Sequence, residues 1–517
     1  VYESLARHYL LAEEWQLAFD YNHKAAENLK KLYANQDAIS HYLVCLDLIS
    51  NNKIVSPNAE IEIHKDLADI YFLIANYEEA INQFKIILCR DDLDVKLEAE
   101  ILLSLGSVYQ RKADYENAFA CYEEGKELLN EQEHRLEIAR LDANAMWIYM
   151  RRGEYKKVNA IADKTLEIFT SEKSDDDIAN VYNAVGTMYY DRSEWDKAEV
   201  YYQLSLDYRN RTGDLYGVAQ GLNNLGNIYH RKGDVNKALE YHGKALEIRE
   251  KIGDRFGISS SYNNIALVYD YMGELEMCLE YHQKSMKISK SLNIERSVAL
   301  TSSNIGYVML KTGDFDKSAE YSLAALEIFK KIEEFSHIAS FENNLASAYI
   351  GLRKFNEALA VLEESEEICL KYGFKNLIAE NYHLLANVYL NMNKIEEATN
   401  YANTAIDVAK KIKDREAEAE AYIVLGKIYL TQNRLDEAIA EFDRCARLFK
   451  AIQNNFTLAK SYFFAGVTLK KKGDNEAADN YLSQAKLIFA RLGAKRFLAL
   501  IDSELVKRPT NNFKEIA

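Results

Sequence analysis

The sequence predicts an all-α fold, a solenoid of antiparallel helix pairs, and three observations point to it. Only two prolines, Pro57 and Pro509, interrupt 517 residues in which Ala, Leu, Glu, Lys and Tyr recur throughout. Proline breaks helix interiors, so its scarcity leaves long helical stretches intact. The chain is also too long for one ordinary compact core. Small residues return every 40 positions over most of its length, as they do in a stacked array.

The period is read from Leu225-Gly226-Asn227-Ile228-Tyr229, followed by Gly233-Asp234 and Ala238-Leu239-Glu240-Tyr241. That segment returns 80 residues later as Ile305-Gly306, Gly313-Asp314, Ser318 and Tyr321. Following the Gly226 register gives Gly106, Met146, Gly186, Gly226, Ala266, Gly306, Ala346, Ala386, Gly426 and Gly466, each 40 residues from the last. Twelve residues on, the series from Ala118 to Ala478 is small in nearly every unit, and seven further on so is the series from Gly125 to Ala485. Seven residues before the first series stands Ala or Ser every time.

A Gly or Ala inside a helix sacrifices packing area and, for Gly, about 1 kcal/mol of propensity. Close approach of a second helix offsets this, with Tyr229, Tyr269, Tyr349 and Tyr389 filling the space around the crossing. Each unit is therefore predicted to be two antiparallel helices. Gly153-Glu154, Gly233-Asp234, Gly273-Glu274, Gly313-Asp314 and Gly473-Asp474 form the turns. The Gly tolerates a left-handed helix end, and the acid suits the next helix start.

This pattern, small-Gly-x-x-Tyr, then Gly-Asp-x-x-x-Ala, Tyr and a second Ala, resembles the tetratricopeptide repeat signature. The resemblance implies a right-handed superhelical array in which the first helix of each pair lines an inner groove. The usual unit of that family is about 34 residues. Its internal spacings of 12 and 7 are kept here, so the surplus falls between Ala245 and Ala266, in longer helices flanking Gly253-Asp254. Such units are similar to those of kinesin light chains and related cargo adaptors.

One unit cannot bury its apolar face alone, so neighbours must stack. Residues 97–496 are predicted to hold ten 40-residue units, and residues 59–96 a shorter one around Leu67, Ala68, Tyr71, Tyr77, Ala80 and Phe84. Residues 1–50 carry irregular helices of the same kind around Leu5, Ala6, Ala18, Ala25, Ala38 and Tyr42, set apart by the stretch containing Pro57. Residues 497–517 are predicted to be a capping helix, to Val506, and a frayed tail.

A net charge of −16 and a pI near 5.3 oppose a phosphate-binding surface, so no nucleic-acid partner is expected. No apolar run approaches the roughly 20 residues of a membrane span, and no signal-peptide pattern opens the chain. A soluble, cytoplasmic protein with no membrane partner is expected. The chain begins at Val1, within a helical pattern and without methionine, which suggests a piece of a longer polypeptide. Cys45, Cys89, Cys121, Cys278, Cys369 and Cys445 never form a Cys-x-x-Cys pair, so disulfide or zinc frameworks are not expected. Cys278 and Cys445 occupy small-residue registers, where a thiol packs like alanine.

The candidate site is a band of asparagines around the Gly register. Asn183, Asn223, Asn224, Asn227, Asn263, Asn264, Asn304, Asn343, Asn344 and Asn387 span six successive units. An amide donates and accepts, so a row of amides can hold the backbone of an extended peptide with little dependence on its side chains. The same residue type also serves packing between helices, and both readings stand. Arg111, Arg151, Arg231, Lys311 and Lys471 share one register at the end of first helices. With Arg140 they form either a basic strip for an acidic peptide or carboxylate terminus, or charges that favour helix C-termini. The family's carboxylate clamp requires a Lys where this chain has Asn223, Asn263 or Ser303, so that subtype is not implied.

His242 and His282 stand at equivalent second-helix positions, His230 and His383 toward the groove, and none has a second ligand at metal spacing. Phosphate-loop, metalloprotease and nucleophile-elbow motifs are missing from the sequence. No catalytic residue, metal or cofactor is expected. The leading expectation is a scaffold that binds a protein or extended peptide, of undetermined oligomeric state. The alternative is the regulatory or sensor arm of a larger signalling protein. Residues 1–50, with His8-Tyr9, Ala18, Tyr21, Ala25, Tyr33-Ala34 and Ala38-x-x-x-Tyr42, resemble the start of the helical arm in STAND ATPases and nucleotide cyclases.

Overall fold

Small residues at four repeating registers let successive helices lie close, and most links between helices are only a few residues long. The computed structural model describes residues 2–506 apart from 113, 152, 332, 333, 453, 454 and 493. Among the described residues the secondary structure is α-helical with no strand.

In chain order the helices begin with α1 (Tyr2–Leu11), α2 (Trp15–Lys31), α3 (Asn35–Ser50), α4 (Pro57–Leu73), α5 (Tyr77–Leu88), α6 (Val95–Arg111) and α7 (Tyr115–Glu127). Next come α8 (Arg135–Arg151), α9 (Tyr155–Ser171), α10 (Asp175–Asp191), α11 (Trp195–Thr212), α12 (Leu215–Arg231), α13 (Val235–Ile252) and α14 (Arg255–Met272). The series continues with α15 (Leu275–Ser291), α16 (Glu295–Thr312), α17 (Phe315–Lys331), α18 (Phe335–Gly351), α19 (Phe355–Tyr372) and α20 (Lys375–Asn391). It ends with α21 (Ile395–Ile412), α22 (Arg415–Thr431), α23 (Leu435–Ile452), α24 (Asn455–Lys472), α25 (Asn475–Arg491) and α26 (Lys495–Val506). From α6 to α24, even-numbered helices carry the Gly register and are the first helices of their pairs. The expected tail, residues 507–517, lies outside the described residues.

The turns follow from their residues. Gly233 (φ 79°) and Gly473 (φ 94°) are left-handed, and the next residues, Asp234 and Asp474, cap α13 and α25 by accepting from the N–H of Lys237 (3.2 Å) and Ala477 (3.1 Å). Ser193, Arg353, Asn393 and Asn433 take the same left-handed place with a side chain. The surplus of the 40-residue period lies where α13 and α14 run on to meet at Gly253 (φ 73°).

Glycine in the first helices has a specific partner. A Cβ at Gly186 would fall 2.7 Å from the Tyr202 ring, at Gly226 2.7 Å from the His242 ring and at Gly426 2.5 Å from the Phe442 ring. Each partner lies 16 residues on, in the second helix, so the absent side chain is the notch that the ring fills. Neighbouring tyrosines stack beside the crossing: Tyr189 on Tyr201 (5.4 Å), Tyr229 on Tyr241 (5.3 Å), Tyr269 on Tyr281 (5.5 Å) and Tyr389 on Tyr401 (5.4 Å). Cys278 and Cys445 are fully buried at their small-residue registers.

The chain divides into two compact units, residues 1–264 and 265–517. Within the first, helices far apart in sequence meet. The Asn35 amide donates to the Ile252 carbonyl (3.2 Å), and the Arg111 guanidinium lies over the rings of Phe72 (5.7 Å), Tyr216 (5.7 Å) and Phe256 (5.0 Å). Within the second, the Leu492 side chain sits directly on Gly273. Phe497 of α26 stacks on Phe489 (4.5 Å) and meets Phe456 edge-on (5.7 Å), covering the last helix pair.

Candidate ligand-binding groove

The first helices of the second unit wall a cavity of about 630 Å³. Counted from the Gly register of each unit, most of its lining residues fall ten, six, three or two positions before or one or five after. On α20 these are Asn376, Glu380, His383, Leu384, Asn387 and Asn391. Steps of three and four residues trace one face of a helix, so the same face of α16, α18, α20, α22 and α24 turns inward. α26 contributes Phe497 and Leu500.

Of the asparagine band, this arrangement brings Asn304, Asn344 and Asn387 to the cavity wall, together with Lys311. Asn343 is not at the surface of the groove. It is fully buried, its amide donates to the Leu377 carbonyl (3.2 Å), and its oxygen accepts from Ser365 (2.9 Å) and Asn381 (3.3 Å). Asn183 and Asn223 are buried too, accepting from the amides of Asn224 (2.8 Å) and Asn264 (2.9 Å) one unit later. The Asn344 amide reaches back to Ser303 in the same way (3.4 Å). The band is in this part a ladder between adjacent first helices, each rung spanning 41 residues. Asn227 and Asn263 are half-buried.

The basic register behaves alike. Arg231 donates to the Tyr190 hydroxyl (3.0 Å), Lys311 pairs with Asp270 (2.7 Å) and Lys471 donates to the Leu430 carbonyl (3.4 Å), each again 41 residues back. Arg140 pairs with Asp177 (2.8 Å), and Arg111 is held over its three rings. The Arg151 side chain lies outside the described residues. The basic strip suggested by the spacing is thus largely spent on ties between units.

Several lining residues were not singled out in the sequence. Glu380, Glu420 and Lys460 share the register six before Gly, as Arg140 does, and Glu416 and Phe456 stand ten before. One more helical turn back from the asparagine positions would have reached them. Burial pushes the Glu380 carboxyl up to about 7; Asn343 opposes the shift, and Glu416, Asp414 and Glu420 add to it. Glu420 is stabilised as a carboxylate by Lys460 (2.9 Å) and Thr457 (2.8 Å), and burial holds the His383 imidazole down to about 4. Asp414 caps α22, accepting from Glu416 and Ala417 (both 3.0 Å).

His242 and His282 are buried in the core, and burial holds them down to about 3 and about 4. Among the described residues no group of three or more His, Cys, Asp or Glu is placed to hold a metal ion, and no helix is long and apolar enough to cross a membrane.

Overlapping matches to one tetratricopeptide repeat family model run from residue 177 to 451, and a second tetratricopeptide repeat model matches at 99–128 and 459–489. The chain belongs to the tetratricopeptide repeat family. No curated protein matches its sequence. Among solved structures it is similar to a Rap protein complexed with competence and sporulation factor, at 15% identity and a TM-score of 0.53, over 70% of this chain and all of that one. A STAND protein with a tetratricopeptide repeat sensor from Pyrococcus horikoshii matches at 15% identity and a TM-score of 0.43, over 88% of this chain and 74% of that one. Yeast Tom70 matches at 14% identity and a TM-score of 0.37, over 95% and 96%. The likeness to the Rap protein agrees with the helical-array fold of the family. In this array the groove face and the between-unit ties are built from the same registers.

Proposed function

We propose that this tetratricopeptide chain is a scaffold that binds a protein or extended peptide on the inward face of its first helices, with the cavity of the second unit as the principal seat. The observation that carries this reading is the cavity itself: about 630 Å³, walled by six alternate helices from α16 to α26, within the roughly 300–1,000 Å³ of ligand cavities. Its wall mixes aromatic surface with the amides of Asn304, Asn344 and Asn387. An amide that spends one N–H on a neighbour keeps capacity to bond a peptide backbone. The family is one of binding arrays, which supports the same reading; one solved relative, the Rap protein, is complexed with competence and sporulation factor.

The asparagines divide into two roles. Asn304, Asn344 and Asn387 face the ligand, whereas Asn183, Asn223, Asn224 and Asn264 hold units together. Replacing Asn223, Asn263 and Asn343 with alanine is therefore expected to lower the melting temperature more than it lowers binding.

The direct test immobilises the full chain and challenges it with a random-sequence peptide mixture, reading retained peptides by mass spectrometry. Ser347→Trp projects an indole into the cavity from a half-buried wall position and is expected to abolish retention. Leu323→Ser, on the exposed face of α17, is expected to leave it unchanged. Equal retention by the Trp variant and the unaltered chain would place the ligand elsewhere.

A further inference from the structure

We propose that Phe72, Tyr216 and Phe256 form an aromatic cradle for a guanidinium, and that Arg111, filling it from within the chain, is a latch that shuts the inner groove of the first compact unit. The closed groove is the counterpart of the seat proposed above, so its use by a ligand rests on that reading. The cradle itself does not.

The rings come from three helix ends. Phe72 lies near the end of α4, Tyr216 near the start of α12 and Phe256 near the start of α14, while Arg111 ends α6. The guanidinium lies 5.7 Å from the centres of the Phe72 and Tyr216 rings and 5.0 Å from that of Phe256, and the first two rings meet each other at 6.3 Å. One side chain thus joins α6 to helices 105 and 145 positions further along the sequence. Among the described residues its partners are rings and no carboxylate. Arg249, a cation within electrostatic reach of it, is held elsewhere, by the Ser261 hydroxyl (2.6 Å) and the Gly257 carbonyl (3.0 Å). A planar, weakly hydrated guanidinium is the cation best suited to aromatic faces.

The second compact unit repeats these registers and leaves the place open. Lys311, Glu416 and Phe456 stand 200 residues after Arg111, Tyr216 and Phe256, and all three line the cavity. What differs is how the cation is held. Lys311 is drawn back onto Asp270 of the preceding first helix (2.7 Å) and lies over Tyr307 of its own helix (4.4 Å). Asp270 stands four residues after Ala266, and the residue four after Ala68 is Phe72; the counterpart of Tyr307 is Ser107. With neither that acid nor that ring at hand, Arg111 reaches across to Tyr216 and Phe256. Its side chain therefore spans registers that in the second unit are separated by cavity.

Amide hydrogen exchange of the full chain, read by mass spectrometry, tests the latch. Arg111→Ala and Arg111→Met are expected to exchange about tenfold or more faster at the starts of α12 and α14. Arg111→Lys, which keeps a cation, is expected to stay near the unaltered chain, and Arg211→Ala, which removes a cation from the Tyr208 ring within α11, to leave those segments unchanged. Millimolar methylguanidinium chloride is expected to restore protection to Arg111→Ala, where sodium chloride at the same concentration does not. Full protection in Arg111→Met, or an equal response to the two salts, overturns the cradle. If Arg111→Ala fails to fold, the Met and Lys variants decide, since both keep a long stem. The groove is read with p-benzoylphenylalanine at position 220, six before Gly226 on α12, and a peptide retained by the full chain. Labelling there in Arg111→Met and not with Arg111 in place is the expected result. Labelling from position 307 but never from 220 overturns the shut groove and leaves peptide binding in the second unit intact. Labelling from neither position overturns the peptide-binding reading and the shut groove together, with the exchange result still deciding the cradle.

Discussion

Replacing His242 with tyrosine should remove an acid sensitivity that unit packing builds into the first half of the chain. The imidazole fills the notch above Gly226, is fully buried, and has no hydrogen-bond partner for either ring nitrogen among the described residues. Burial, with smaller contributions from His230 and Arg249, holds its pKa down to about 3, whereas an unfolded histidine titrates near 6.5. The unfolded chain therefore takes up the proton first as pH falls. The stability this histidine contributes is complete above about pH 6.5 and drains away down to about pH 3, at about 1.4 kcal/mol per pH unit. Between pH 6.5 and 5 the loss is roughly 2 kcal/mol. Tyrosine fits the same place: Tyr122 and Tyr202 lie over Gly106 and Gly186, and the Tyr202 hydroxyl donates to Thr187 (3.0 Å). Asn227 occupies the position of Thr187 one unit later, so the new hydroxyl has a partner. Urea melts of both proteins at pH 7.5 and 5.0 check this, comparing the transition that includes α12 and α13 because an array need not unfold in one step. His282→Tyr is not made, so its own slope is common to both and cancels. The variant should match the unaltered chain at pH 7.5 and exceed it by roughly 2 kcal/mol at pH 5.0. Parallel pH dependence in the two proteins would refute the reasoning.

Gly426→Ala should destabilise by about 1–2 kcal/mol, because overpacking against the Phe442 ring outweighs the helix propensity gained. Adding Phe442→Leu recreates the Ala346 and Leu362 pairing found elsewhere in the array, so a double-mutant cycle by thermal melting should show a favourable coupling. Ser193→Gly, at a left-handed φ of 60°, should raise stability by up to about 1 kcal/mol in urea melts. Glu342 is fully buried with the Lys330 ammonium 3.2 Å away, and burial raises its pKa to about 7. Its contribution is present at low pH and is lost as pH rises from about 4.5 through 7, so Glu342→Gln should stabilise the chain by about 2–3 kcal/mol at pH 8 and little at pH 5, again by urea melts.

The helix pairs were legible because their determinants are local and repeated. A Gly with Asp after it makes a turn wherever it occurs, and a helix that keeps Gly or Ala at one register over many units must be answering a close neighbour. The identity of that neighbour, the ring 16 residues on, could be counted in the sequence once the helices were known. Of the candidate site, the spacing reached the cavity wall at Asn304, Asn344 and Asn387. Glu380 and Phe456 were missed because the longer first helices carry that face one or two turns further back than the Gly register shows. Asn183, Asn223 and Asn343 bond to neighbouring helices, since a polar side chain at the edge of the face can reach its neighbour, and spacing alone does not tell such a joint from a groove position. The meeting of Leu492 with Gly273 was not legible at all. It depends on a small rotation per unit accumulated over several units, which no local pattern encodes.

The binding face itself is most directly tested by site-specific photo-crosslinking. p-Benzoylphenylalanine is placed at position 307, where Tyr307 lines the cavity with 39% of its surface exposed, or at position 323, where Leu323 is 48% exposed on α17. Each protein is irradiated with a peptide recovered by retention on the full chain. Crosslinks from position 307 alone, competed away by unlabelled peptide, are the expected result. Equal labelling from both positions, or labelling from position 323 alone, would contradict binding on the inward face.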